Sequence, residues 1–277
     1  MGRVAAAWQE AHLPLLRFSA IMRAMHPVLF RLGSLPVQTY TVLIDLGLAV
    51  SLAWVYLGAP KAKAGRWLDA ALASIIGALA GARLVYCFAN SGYYFEHPEE
   101  VIMIWQGGLD WTGAVLGGVL GAGLYCSRAR EPLAPFFDLL AWPLVILGLL
   151  GWGGCLAAGA AYGAEVAPGQ ALAWLGMNSP DLYGVVALRW PTQLMGLIWS
   201  VLALGALWLA ARWSWPSGAC GFYALALVAL GAFGLSFLRG DPDPFTGGLR
   251  LDTLASGLVL VFAAGGWVWR VRKLHVL

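Results

Sequence analysis

The chain has 277 residues, 60% hydrophobic and 11% charged, with a formal net charge of +3. A soluble domain carries about a quarter charged residues, so this composition and a mean hydropathy of +0.74 exclude an ordinary soluble fold. So few basic residues point to no nucleic-acid partner, and the net charge by itself defines no other.

An apolar helix of about 20 residues crosses the bilayer core. Seven stretches approach that length: residues 36–58, 70–88, 111–126, 135–151, 192–211, 219–238 and 251–269. The expected fold is an all-α integral membrane protein, a bundle of seven transmembrane helices. Residues 36–277 form a single domain in this reading. Residues 1–35 stand apart, as a surface-lying amphipathic segment or as an extraneous stretch ahead of a start at Met25.

Alternate loops fall on alternate sides of the bilayer, and cytoplasmic loops retain Lys and Arg. Lys61, Lys63, Arg66, Arg128, Arg130, Arg212, Arg270, Arg272 and Lys273 share one side, against Arg189, Arg239 and Arg250 on the other. That asymmetry predicts an external N-terminus and a cytoplasmic C-terminus. Arg3, Arg17, Arg23 and Arg31 run against it. Cys87, Cys126, Cys155 and Cys220 sit in or beside the spans without a CxxC pair, as buried thiols do. None of the four histidines lies in a span, so no metal site and no cofactor is expected.

Ionisable groups at bilayer depth are costly and face a cavity or a partner. Asp45 lies mid-span, with a stem too short to snorkel; it is protonated, paired with a group such as Arg83, or in a wet cavity. Arg83 and Arg239 lie near span ends, where two readings hold. Either the guanidinium snorkels to the interface, or it presents its planar fork to phosphate. WQGGLDWTGAVLGG, residues 105–118, reads as a re-entrant turn beside a headgroup-level cavity or as an aromatic belt before a glycine-rich packing face. Gly117 and Gly121 form a GxxxG pattern that would suit helix association with other membrane subunits.

The order of motifs resembles the bacterial prolipoprotein diacylglyceryl transferases, seven-span enzymes of the inner membrane. HPVLFRLGSLPVQTYTVL, GARLVY, WQGGLDWTGAVLGG, RWPTQL, FLRGDPDPFTG and LDTLAS follow one another as the family's segments do. The resemblance implies transfer of a diacylglyceryl group from phosphatidylglycerol to a lipobox cysteine. Such chemistry needs a group to deprotonate the thiol and cations to hold the departing phosphate. On the family pattern, Tyr40, Arg83, Gln193 and Arg239 persist as lipid- or phosphate-binding candidates.

The departures from that pattern centre on GLLGWGGCLAAGAAYG, residues 148–163. There the resemblance implies an arginine at Trp152, asparagines at Cys155 and Ala158, and a glutamate at Ala160. It likewise implies a histidine at Thr112, a glutamate at Ser236 and an arginine at Ala232, and it places Met195 and Gly196 where the family has Tyr-Glu. Each lost transition-state donor costs about 2.7–4 kcal/mol. These vacated positions lead to the expectation of a non-catalytic relative that binds phospholipid or another apolar ligand, or serves as a subunit of a membrane complex, with no catalytic residue assigned. Trp152 is expected to fill the vacated space. The alternative is an active transferase with a rearranged site.

Overall fold

The computed structural model describes residues 27–272 apart from Ser34, Pro168, Leu182 and Gly247. Most of the N-terminal segment proposed above, with Arg3, Arg17 and Arg23, therefore lies outside the described residues. Six helices among them are long and apolar enough to cross a membrane. They are α1 (Thr39–Gly58), α2 (Ala64–Ala89, extended by a preceding turn), α6 (Ala141–Ala158), α7 (Thr192–Ala210), α8 (Ala219–Ser236) and α9 (Leu251–Arg272). Two short helices, α3 (Ser91–Glu96) and α5 (Leu133–Leu139), flank α4 (Trp111–Ala129).

The expected third span is α4, whose 19 residues include five glycines and Arg128. These keep it less apolar than the other six. The expected fourth span, 135–151, is displaced: its first residues form α5, and the long helix runs from Ala141 into the vacated segment. The first span begins at Thr39 rather than at residue 36, because Pro36 pairs with Arg31 in an antiparallel hairpin.

That hairpin, β1 (Val28–Leu32) with β2 (Leu35–Gln38), qualifies the all-α expectation. Two further antiparallel pairs occur outside the long helices, β3 (Met177–Pro180) with β4 (Val186–Arg189) and β5 (Phe245–Thr246) with β6 (Leu249–Arg250). Extended pairing satisfies the backbone of connecting segments that carry prolines and cannot be helical throughout.

Backbone contacts divide the chain into two compact units. The first comprises the described residues up to Gly47, Leu147–Val201 and Gly234–Pro242; the second comprises Leu48–Ile146, Leu202–Phe233 and the residues from Asp243 onward. In the second unit α2 and α4 touch backbone to backbone. A Cβ on Gly77, Gly81, Gly113, Gly117 or Gly121 would collide with a carbonyl of the facing helix. Small residues permit this approach where lipid offers helices no hydrophobic drive to associate. Gly117 and Gly121, the pattern expected to suit subunit association, are thus buried against Gly77 and Ala73 within the chain.

At the helix ends of this unit, Glu131 accepts hydrogen bonds from Lys63 Nζ at 2.8 Å and Arg66 Nη1 at 2.7 Å. Lys63's hydrogen bond outweighs the effect of burial and holds the Glu131 carboxyl below its ordinary range. A depressed folded-state value adds stability that is present above the ordinary carboxylate value and lost as pH falls through the folded one.

Two outcomes follow for the second unit. Gly117→Leu should separate α2 from α4 and lower the melting temperature in mild detergent, with an overpacking cost of about 1–3 kcal/mol. Glu131→Gln should lower the melting temperature at neutral pH, and its deficit relative to wild type should shrink as the pH is taken below the ordinary carboxylate range, about 4.3.

Candidate functional site

Residues 148–163 are held by parts of three other motifs that lie in the first unit. Helix α6 stops at Ala158, and the chain leaves it through Gly159 at φ +69° and Ala161 at φ +53°. The turn beyond the helix leaves carbonyls without helical or strand partners. The side chains that open α7 supply donors: Thr192 Oγ1 to the Ala161 carbonyl at 2.6 Å and Gln193 Nε2 to the Ala160 carbonyl at 2.9 Å. Gln193 is thereby a capping residue of the vacated segment, an assignment its position in RWPTQL did not disclose.

Beyond Ala161 the chain runs extended between two neighbours. Ala164 N donates to the Leu238 carbonyl and Gly240 N to the Tyr162 carbonyl, each at 2.8 Å. On the other side Trp190 N donates to the Ala164 carbonyl at 3.1 Å and Val166 N to the Leu188 carbonyl at 2.8 Å. A Cβ at Gly163 would strike the Trp190 carbonyl, and one at Gly154 would strike the Tyr40 ring. Two glycines of the framework therefore have a packing reason that is separate from chemistry. Gly151 lacks one, since a Cβ there meets only Ile44 at an ordinary 3.9 Å.

Trp152 lies against α7. A Cβ at Gly196 would overlap the indole ring system of Trp152, so the ring covers the α-carbon of Gly196 directly. A large ring at position 152 thus faces bare backbone at position 196. Ala158 and Ala160 are exposed, and Ser236 is fully buried.

Tyr40, Cys155, Arg239 and Asp241 belong to the same unit. The Tyr40 ring packs on Gly154, next to Cys155, and Arg239 forms a backbone bridge with Gly163. Arg239 donates through Nε to Asp241 Oδ1 at 2.9 Å and through Nη2 to Oδ2, a bidentate ion pair. The pair fixes the guanidinium plane while leaving 23% of the side chain exposed. Sequence reasoning missed Asp241, although it stands two residues after the arginine it orients.

The role of a buried arginine, Arg189, was also missed. Arg189 donates through Nη2 to Glu165 at 3.0 Å and Asp181 at 3.2 Å, and its guanidinium lies 5.2 Å from the Tyr162 ring centroid. It ties the hairpin β3–β4 to the end of the vacated segment. The signal available was the pair of acids in the loop it closes.

Arg83 belongs to the second unit and is 5% exposed. Its Nε donates to the Val101 carbonyl, Nη2 to that of Glu100, and Nη1 to those of Gly107 and Gly108, at 2.6–3.1 Å. Its guanidinium thus serves backbone, and these bonds account for its burial without a carboxylate such as Asp45. Asp45 is on an exposed face of α1 in the first unit.

Thr112 is buried and donates to the Asp110 carboxylate. Asp110 in turn caps α4 by accepting from Gly113 N at 2.8 Å. Both line a cavity of about 430 Å³ with Val85, Phe88 and Leu251. Ala232, also in this unit, is half-buried in α8.

The helices define a multi-pass membrane protein, with one unit built around an arginine-carboxylate pair at the end of a span. Residues 27–269 match the sequence profile of the family described as Prolipoprotein diacylglyceryl transferase. The chain belongs to that family. It is 27% identical over 264 residues to the phosphatidylglycerol–prolipoprotein diacylglyceryl transferase of Symbiobacterium thermophilum, covering 91% of this chain and 96% of the relative. The protein of that name from Parasynechococcus marenigrum is 28% identical over 263 residues, covering 89% and 94%. A Streptomyces coelicolor protein, phosphatidylglycerol–prolipoprotein diacylglyceryl transferase 2, is 31% identical over 241 residues, covering 84% and 75%.

The fit of Trp152 to Gly196 has a direct consequence. Gly196→Ala should lower stability by about 1–3 kcal/mol, as overpacking does. Adding Trp152→Ala should remove the clash, so that the double variant is more stable than the sum of the two single changes. A double-mutant cycle of detergent melts reads the coupling.

Proposed function

We propose that this chain binds a phosphatidylglycerol-like phospholipid in the bacterial cytoplasmic membrane, with Arg239 as the group that meets the phosphate. The observation that carries the reading is the Arg239–Asp241 ion pair at the end of a span, bridged through backbone to Gly163 of residues 148–163. A guanidinium whose plane is fixed by a carboxylate and whose side chain stays partly exposed suits phosphate oxygens. In this reading α4 is a seventh span, the N-terminus is external and the C-terminus cytoplasmic.

Similarity extending over nearly the whole of the named relatives favours catalysis of diacylglyceryl transfer. In that reaction a sulfur–carbon bond forms between the lipobox cysteine and the glycerol carbon, and the carbon–oxygen bond to phosphate breaks. Arg239 stabilises the departing glycerol phosphate, which takes up the thiol proton as it leaves.

One observation favours a second reading, retention of lipid without transfer. The Trp152 indole occupies the face of Gly196 where the family pattern sets an arginine and a glutamate. Two charged groups replaced by a ring packed on backbone make an apolar surface suited to acyl chains.

Labelled phosphatidylglycerol and a lipobox peptide separate the readings. Transfer above a protein-free background, abolished by Arg239→Ala, supports the transferase. No transfer, with phosphatidylglycerol retained in native mass spectra and lost from Arg239→Ala, supports the lipid-holding role. Absence of both transfer and retained lipid overturns the proposal.

A further inference from the structure

Between α2 and α4 the chain makes α3 and two tight 3-10 turns, Pro98–Ile102 and Ile104–Gln106. Large apolar side chains point out of this stretch, with Phe95 84%, Ile102 75% and Trp105 74% exposed. Glu96 and Glu99 are exposed between them. The stretch leaves the end of a membrane-spanning helix, where Phe88 is itself exposed, so its apolar side is continuous with a lipid-facing surface. Water-facing loops rarely gather such residues.

The backbone of the stretch explains Arg83. Tight turns leave carbonyls unsatisfied, and near lipid no bulk water reaches them. Arg83 supplies donors to the carbonyls of Glu100, Val101, Gly107 and Gly108 from inside the fold. Gly107 and Gly108 adopt φ of +89° and +71°, and a Cβ at Gly108 would strike Tyr86 and Arg83. The paired glycines of WQGG therefore exist so that the turn can close on the guanidinium. A water-exposed loop would have no need of an internal donor for each of these carbonyls.

We propose that residues 91–106 are an interfacial arm whose Phe95, Ile102 and Trp105 side chains insert into the phospholipid layer, and that Arg83 holds the arm at that depth. Aromatic residues favour the headgroup level, where the ring meets acyl chains and water remains within reach. Arg83 is in this sense a positioning residue for the lipid-facing surface and acts through backbone alone. Lysine cannot replace it, because one ammonium cannot span carbonyls that the fork reaches from three nitrogens.

The test replaces single residues of the full chain with p-benzoylphenylalanine and irradiates it in vesicles of phosphatidylethanolamine and phosphatidylglycerol. Severalfold higher yields of phospholipid adduct are expected at Phe95, Ile102 and Trp105 than at Glu96 and Glu99. Equal yields at all five positions, or adducts to protein in place of lipid, overturn the insertion. Arg83→Lys should reduce the yield at Ile102 and Trp105 toward that at Glu99. An unchanged yield in a folded Arg83→Lys protein overturns the positioning role. If that variant does not fold, Gly108→Ala, which blocks the same closure, gives the reading.

Discussion

Contact between bare backbones recurs wherever this protein brings distant segments together. A carbonyl of one helix sits where a side chain of the next would stand, at Gly77, Gly81, Gly113, Gly117 and Gly121. The same approach brings Gly163 to Trp190 and Gly240 to Ala164. Inside a bilayer this is a sound source of affinity, because dispersion and weak polar contacts are gained while lipid competes poorly for the space. Thirty-six glycines are a large number for a helical protein, and helix propensity alone would count them as a defect. Their use lies in the distances they allow.

The six family-like motifs sort by these contacts. In the first unit, the segment around Tyr40, the vacated stretch, RWPTQL and the opening of FLRGD share one network of hydrogen bonds and ring contacts. In the second, GARLVY is tied to WQGG through Arg83, and LDTLAS contributes Leu251 and Ala255 to the cavity that Asp110 and Thr112 line. The glycines and caps of these motifs are required by the path of the chain, whatever chemistry the motifs carry.

Hydropathy made the long helices legible, because a span of about 20 apolar residues has few alternatives. It was less informative at their ends. Pro36 read as the start of a span and proved to be in a strand, since hairpin pairing leaves no trace in apolarity. The fourth span was set too early because Leu133–Leu139 is itself largely apolar. Arg83 illustrates a deeper limit: an isolated arginine near a span end looks the same in sequence whether it meets water, phosphate or carbonyls. Only the two glycines some twenty-five residues away distinguish the third case, and their positive φ is invisible until the chain is folded. Trp152 was the opposite case, since a ring where the pattern sets a charge already implies that something small must face it.

That ring and its glycine constrain each other. An arginine placed at 152 alone would lie against a position with no carboxylate, and burying a lone charge is far more costly than burying a ring. A glutamate placed at 196 alone would overlap the indole. Either change made alone therefore gives a chain less stable than this one. Ring and bare backbone thus act as one unit of sequence, in which neither position is free to change without the other.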